Sequence, residues 1–126
     1  MTPDAADPLP ARVRELFGSP THGGALPEGE GVRRGRAGRR SEGTEVEFAL
    51  RWQGDALVEA RYLAYGCPYT LAACEWLADW LERTGPGRGL PGRPEDWIRE
   101  LGAPIERLGR LFVVEDALRL ALEAVE

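Results

Sequence analysis

Two side chains in this 126-residue sequence offer soft nucleophilic chemistry, Cys67 and Cys74. Cys67 closes the run Ala60-Arg61-Tyr62-Leu63-Ala64-Tyr65-Gly66-Cys67, in which an alternating pattern reaches a glycine and helical spacing begins just beyond. A thiol at the mouth of a helix lies beside unpaired backbone N–H groups and the positive end of the helix dipole, which favours the thiolate. Thiolate is the form that attacks sulfur and binds iron. The competing reading is a structural cysteine, because free Cys is among the most buried residue types. Cys74 falls on the same helical face roughly 10 Å farther along the axis, beyond the Cα separation of about 7 Å that a disulfide tolerates. It reads as core.

Other chemistries are scarce. All 16 basic residues are Arg, which removes phosphate-loop lysines, Schiff-base lysines and Ser-Lys dyads. The single histidine, His22, stands in the turn-like Pro20-Thr21-His22-Gly23-Gly24 and reads as a solvated loop residue. With no other histidine to act as base, an independent thiol enzyme is disfavoured and no catalytic residue is assigned. Arg33, Arg34, Arg36, Arg39 and Arg40 place five positive charges in eight positions. Such a run can bind phosphate, nucleic acid or an acidic partner. Here Glu28, Glu30, Glu42, Glu45 and Glu47 surround it and no aromatic residue interleaves to stack bases, so a screened, solvated loop is the favoured reading and an acidic protein the alternative. A formal net charge of -5 also argues against nucleic acid as a partner of the whole domain.

The elements that must position Cys67 follow from periodicity. Leu9, Val13, Leu16 and Phe17 predict a short helix ending near Gly18, after a loose arm over residues 1–10. Thr21 to Gly43 holds seven glycines without apolar periodicity and reads as loop. Thr44 to Trp52 alternates, with Val46, Phe48, Leu50 and Trp52 on one face; Gln53-Gly54-Asp55 supplies a turn; Leu57 to Tyr65 alternates again, with Val58, Ala60, Tyr62 and Ala64 inward. This is a hairpin. From Cys67 or just beyond, Leu71, Cys74, Leu77 and Leu81 mark a helix to about Arg83, with Pro68 in its first turn. A Gly- and Pro-rich loop, Gly85 to Pro94, precedes a short helix from Pro94 to Leu101. A last helix runs from about Leu111 to Val125, with Val114, Leu118, Ala121 and Leu122 inward. Strands first and most helices later predict one α+β domain over residues 1–126, with helices packed on one face of a small antiparallel sheet.

Composition agrees with a globular chain, 43% hydrophobic and 29% charged. The longest uncharged run, Tyr62 to Cys74, has 13 residues, short of the about 17 that span a bilayer. The opening residues lack a basic stretch before an apolar one, and two cysteines do not make a disulfide framework, so no membrane is expected as a partner and the expected compartment is the cytoplasm.

The residues around Cys67 resemble the IscU/NifU-type scaffolds for iron-sulfur cluster assembly, in their N-terminal NifU-like form. The likeness is strongest from Glu59-Ala60-Arg61 through Tyr65-Gly66-Cys67 and the following helix, and continues in Glu115-Asp116-Ala117-Leu118. It reaches more weakly to Ser19-Pro20 and to Gly38 through Trp52, and covers about Val13 to the C-terminus. It implies the α+β fold already read and a role in receiving sulfur and iron, building a cluster and passing it on. Carried over position by position, the family's first cluster cysteine, which precedes a glycine, is matched by Glu42, and its following Asp by Thr44. The second cysteine is Cys67. The adjoining His-Cys pair falls on Gly109 and Arg110. The stretch by which some members engage a chaperone falls on Ala103 to Arg107, which keeps little of it.

The resemblance thus describes a ligand-poor member. A [2Fe-2S] cluster normally takes four protein ligands, largely thiolates. One thiolate with Glu42 as a second ligand leaves iron or a cluster labile or absent in the isolated monomer. Glu42 and Arg110 are expected to pair where the family holds metal, with Arg110 favouring the Cys67 thiolate. Two functions follow: a scaffold-like protein with Cys67 as sulfur acceptor or sole retained ligand, served by a cysteine desulfurase or other assembly proteins; or a metal-free relative that acts as a protein-binding module or regulator.

Overall fold

Strict alternation between Thr44 and Tyr65 folds as the hairpin it predicts. In the computed structural model, which describes residues 9–124 apart from the Arg88 side chain, β2 (Thr44–Gln53) and β3 (Ala56–Tyr65) pair antiparallel. Gly54, at a φ of 62°, opens the two-residue turn between them, where its lack of a Cβ permits the positive angle. Val46, Phe48 and Leu50 of β2 and Ala60 and Tyr62 of β3 are buried on one face. The register slips once. Arg51 faces Glu59 but Trp52 faces Leu57, so Val58 is an extra residue in β3, a β-bulge. Val58 was expected inward; the bulge turns it out, 38% exposed, and buries Leu57 in its stead.

The Thr21 to Gly43 stretch is not all loop. Val32–Arg39 forms β1, antiparallel to β2, and completes a three-stranded sheet in the order β1-β2-β3. Its lack of apolar periodicity has two causes. On the inner face a helix backbone crosses so close that a Cβ on Gly35 would collide with Ala117 and Ala121. The outer face carries charge instead of apolar groups. Arg34 pairs with Glu28 at 3.1 Å and Glu47 at 3.6 Å, while Arg36 and Arg40 reach Glu45 at 2.5 and 3.2 Å. Three of the five arginines are therefore screened by glutamates, Glu45 and Glu47 on the neighbouring strand and Glu28 ahead of β1, while Arg33 lies over the Trp52 ring, 5.2 Å from its centre.

The helices are α1 (Ala11–Gly18), α2 (Pro68–Thr84), α3 (Pro94–Leu101) and α4 (Leu108–Glu123). Between α1 and β1 the chain passes along the β3 edge, where Gly23 bridges to Tyr62. α4 packs on β1 and β2, α2 on β3, and α1 on α2, so the helices cover one face. Between sheet and helices lie Phe48, Leu50, Leu77, Leu81, Trp97, Leu101, Leu111, Val114 and Leu118, all fully buried, and Trp76 meets Trp97 edge-on at 6.4 Å. Burial of each large side chain contributes about 1.5–3 kcal/mol. α4 starts at Leu108, ahead of the expected Leu111, because a 3₁₀ turn at Ile105–Arg107 leads into it. The expected end at Val125 and residues 1–8 of the expected arm lie outside the described residues. Among the described residues no helix is long and apolar enough to cross a membrane.

Candidate functional site

β3 and α2 deliver Cys67 between them. β3 ends at Tyr65, Gly66 turns the chain, and Cys67 takes the extended N-cap position of α2 (φ -81°, ψ 169°) ahead of Pro68. Pro at the first helical position has the right φ and lacks an N–H that would be orphaned there anyway. Gly66 is favoured by crowding: a Cβ would lie 3.1 Å from three atoms of the buried Thr70 side chain. That side chain in turn reaches Cys67, Oγ1 to Sγ 3.5 Å. Burial pushes the half-buried thiol up, but hydrogen bonds from the Thr70 hydroxyl and from the Thr70 and Tyr69 backbone N–H groups, with the Arg107 charge, outweigh it. The thiol lies below its ordinary value. Arg107 is held by stacking, its guanidinium carbon 5.8 Å from the centre of the Tyr69 ring, and its Nε is buried without a hydrogen-bond partner. Arg107, not Arg110, is the cation that favours the Cys67 thiolate. Cys74 is fully buried and its thiol is pushed well up, in keeping with a core residue.

The four positions at which the resemblance loses or alters a ligand meet in space. Glu42, Thr44, Gly109 and Arg110 line one open pocket of about 260 Å³, together with Gly38, Glu106 and Val113. The 3₁₀ turn Arg40–Glu42 and Gly43, at a φ of 92°, bring the first two there; the start of α4 brings the others. Cys67 is not among the residues that line it. The expected Glu42–Arg110 ion pair does not form: Arg110 Nη1 donates to Thr44 Oγ1 at 3.2 Å, and among the described residues Glu42 is in no ion pair within 4.0 Å. Glu42 is exposed, its carboxylate left to solvent. No group of three or more His, Cys, Asp or Glu among the described residues is arranged to hold a metal ion.

His22 is not a solvated loop residue. It is 9% exposed, with Nδ1 2.5 Å from Glu75 and Nε2 2.9 Å from Glu82, both on α2. Both of its ring nitrogens are taken up by carboxylates of α2, so neither is free to act as a base for Cys67. Thr70, Arg107 and this histidine network were missed in the sequence: Arg107 and His22 depend on partners far along the chain, and Thr70, though only three residues from Cys67, has no pattern that marks which way it faces. Arg107 alone left a trace, as a cation one residue before the last helix.

Comparison with solved structures establishes the fold. A protein from Fervidobacterium islandicum AW-1, FiSufU, assigned to the SUF system for iron-sulfur cluster assembly, superposes with a TM-score of 0.54 at 13% identity, over 90% of this chain and 96% of that one. The N-terminal part of a NifU-like protein from Brucella abortus gives 0.54 at 16% identity, over 92% and 95%. In sequence, the Bifunctional protein NifU/MnmA of Rubrobacter xylanophilus is 37% identical over 99 residues. In sequence and fold the chain is similar to the IscU/NifU-type family. It is also 21% identical over 112 residues to the iron-sulfur cluster assembly protein IscU of Plasmodium falciparum. It spans 19% of the length of the first relative and 69% of the second. No protein-family model matches it.

Proposed function

We propose that this chain is a scaffold-like protein of iron-sulfur cluster assembly in which Cys67 receives sulfur, or serves as the sole retained thiolate for a cluster shared with another chain. The observation that carries the reading is the Cys67 setting: a half-buried thiol at the head of a helix, hydrogen-bonded by Thr70, beside Arg107. Such a thiolate can attack the outer sulfur of a donor persulfide. The Cys67 S–S bond forms as the donor S–S bond breaks, and the donor leaves as its thiolate. A cysteine desulfurase or another assembly protein is the donor that the family suggests. Iron or a [2Fe-2S] cluster would be cargo, bound through Cys67 with Glu42 and solvent, and labile in the isolated monomer because soft thiolate ligands are too few.

A second reading has its own observation. Arg110 hydrogen-bonded to Thr44 fills with a cation the pocket where the family's ligands are matched, and a cation there opposes metal binding. A metal-free relative that binds partners of the same pathway suits that arrangement. Anaerobic incubation with iron, sulfide and a persulfide donor separates the two. Gain of one sulfur atom on Cys67, read by mass spectrometry, with or without labile iron, supports the first reading. A Cys67 that gains neither sulfur nor iron leaves the second.

A further inference from the structure

An ionic chain with no part in sulfur chemistry runs across the outer surface of β3 into the interior. Arg51 Nε meets Glu59 at 3.0 Å, and Glu59 meets Arg61 at 2.9 Å. Arg61 meets Glu82 at 3.0 Å, Glu82 meets His22 Nε2 at 2.9 Å, and His22 Nδ1 meets Glu75 at 2.5 Å. The sign alternates along all six groups, provided that His22 is an imidazolium. A neutral ring has one N–H and one lone pair, so it would turn a lone pair toward one of two carboxylates. Glu75 has no cation other than His22 within ion-pair distance among the described residues and is 4% exposed. It accepts from the Thr21 hydroxyl at 2.9 Å, the His22 backbone N–H at 2.9 Å and the Tyr62 hydroxyl at 3.1 Å. Those bonds suit a carboxylate, and a buried carboxylate needs a cation.

The same residues fix the strap that links α1 to β1. His22 C=O accepts from Tyr62 N–H at 3.2 Å, and Gly24 N–H donates to Tyr62 C=O at 2.9 Å, so the strap takes the place of a fourth strand along part of the β3 edge. Next to it, Glu82 accepts from Ala60 N–H at 2.7 Å. Pro20, Gly23 and Gly24 of the strap also wall an apolar groove against Phe17, Leu63, Ala64 and Leu71.

We propose that His22 is a proton-operated latch: protonated, it ties the strap at residues 19–24 to Glu75 and Glu82 of α2, and on losing its proton it releases the strap, uncovering the β3 edge at Tyr62 and one wall of the groove. The charged and titratable groups that meet the ring or its two glutamates are Glu75 and Glu82 from α2 and Tyr62 and Arg61 from β3. Arg61 is already shared between Glu59 and Glu82, so it cannot replace the lost charge. Burial pushes the imidazole down, but the hydrogen bonds and charges of the two glutamates push it up by more, so the closed strap holds its proton above the ordinary value near 6.5.

His22 is the only histidine in the sequence, so its ring can be titrated without ambiguity in the intact chain. Nitrogen NMR of the native protein should find both ring nitrogens protonated at pH 6.5, with a midpoint above that. Protection of the His22, Gly24 and Tyr62 amides against hydrogen exchange, corrected for the intrinsic rate, should fall by about tenfold per pH unit between about 6.5 and that midpoint, then level off. Amides in the centre of β2 should not follow. Glu82→Gln should lower the midpoint and move the loss of protection with it; His22→Gln should make strap protection independent of pH. A neutral ring at pH 6.5 overturns the proposal. So does a raised midpoint that leaves the three amides unaffected.

Discussion

A cysteine becomes a nucleophile through its neighbours, and those of Cys67 are two to forty residues away in sequence. The Gly66-Cys67-Pro68 motif and the helical spacing beyond were enough to place the thiol at a helix entrance. Thr70 and Arg107 were not legible: a Thr in the first turn has no outward mark of the atom it faces, and Arg107 reaches Tyr69 only after α4 has packed. Cys67 should therefore alkylate in the native protein well before Cys74, whose thiol stays inert until unfolding; mass spectrometry of iodoacetamide-treated protein against time reads both rates. Thr70→Val keeps the shape of the buried side chain and removes one hydrogen bond to the thiolate, worth about 1.5 kcal/mol for a charged acceptor, or about one pKa unit. Because a more basic thiolate is also a better nucleophile, alkylation at pH 7 should slow by about fourfold rather than tenfold. Arg107→Gln should slow it in the same direction. Unchanged rates in both variants would detach the reactivity from this setting.

Among the elements, the hairpin and the helices were legible because each has one buried face and one solvated face, which is what a period of two or of 3.6 records. β1 was not, since at Gly35 its inward side comes too close to the α4 backbone to carry a side chain and its outward side is bound by charge. The Val58 bulge was hidden for a related reason: an inserted residue that is itself apolar preserves the look of alternation while reversing the faces beyond it. Contact between β1 and α4 makes a sharp test at Gly35. A Cβ there meets main-chain atoms of Ala117 and Ala121, which cannot rotate away. Gly35→Ala should cost about 3 kcal/mol, the upper part of the overpacking range, read as a lower urea midpoint at unchanged slope. Gly109→Ala serves as the control, because nothing lies within 4 Å of its added Cβ.

At the scale of the whole molecule, acid and base should act on stability through different groups. The His22 proton is held more tightly in the fold than in the unfolded chain, so its contribution is complete below about 6.5 and is lost as pH rises through the folded value. Glu82 runs the other way. Burial pushes its carboxyl up, but the Ala60 N–H, His22 and Arg61 hold it below the ordinary 4.5, so its contribution is present above that value and is lost as pH falls through the folded one. Urea midpoints should fall on both sides of the interval between; His22→Gln should flatten the alkaline limb and, by taking away one of the groups that hold Glu82 down, also weaken the acid one. Three separate pieces of chain also have to meet for the last expectation: the turn before β2, the entrance of α2 and the start of α4. The fold already brings Glu42, Thr44, Gly109 and Arg110 to one pocket, and Glu106 in its wall adjoins Arg107, whose charge acts on Cys67. Replacing Glu42→Cys, Gly109→His and Arg110→Cys together removes the cation, frees Thr44 and supplies two thiolates and an imidazole to join Cys67, a soft donor set suited to tetrahedral zinc or to iron. The triple variant should bind about one zinc per chain through gel filtration, where the parent retains none. Adding Cys67→Ser should weaken that binding by removing the fourth donor. A folded triple variant with the metal content of the parent would mean that the pocket and Cys67 do not share a centre.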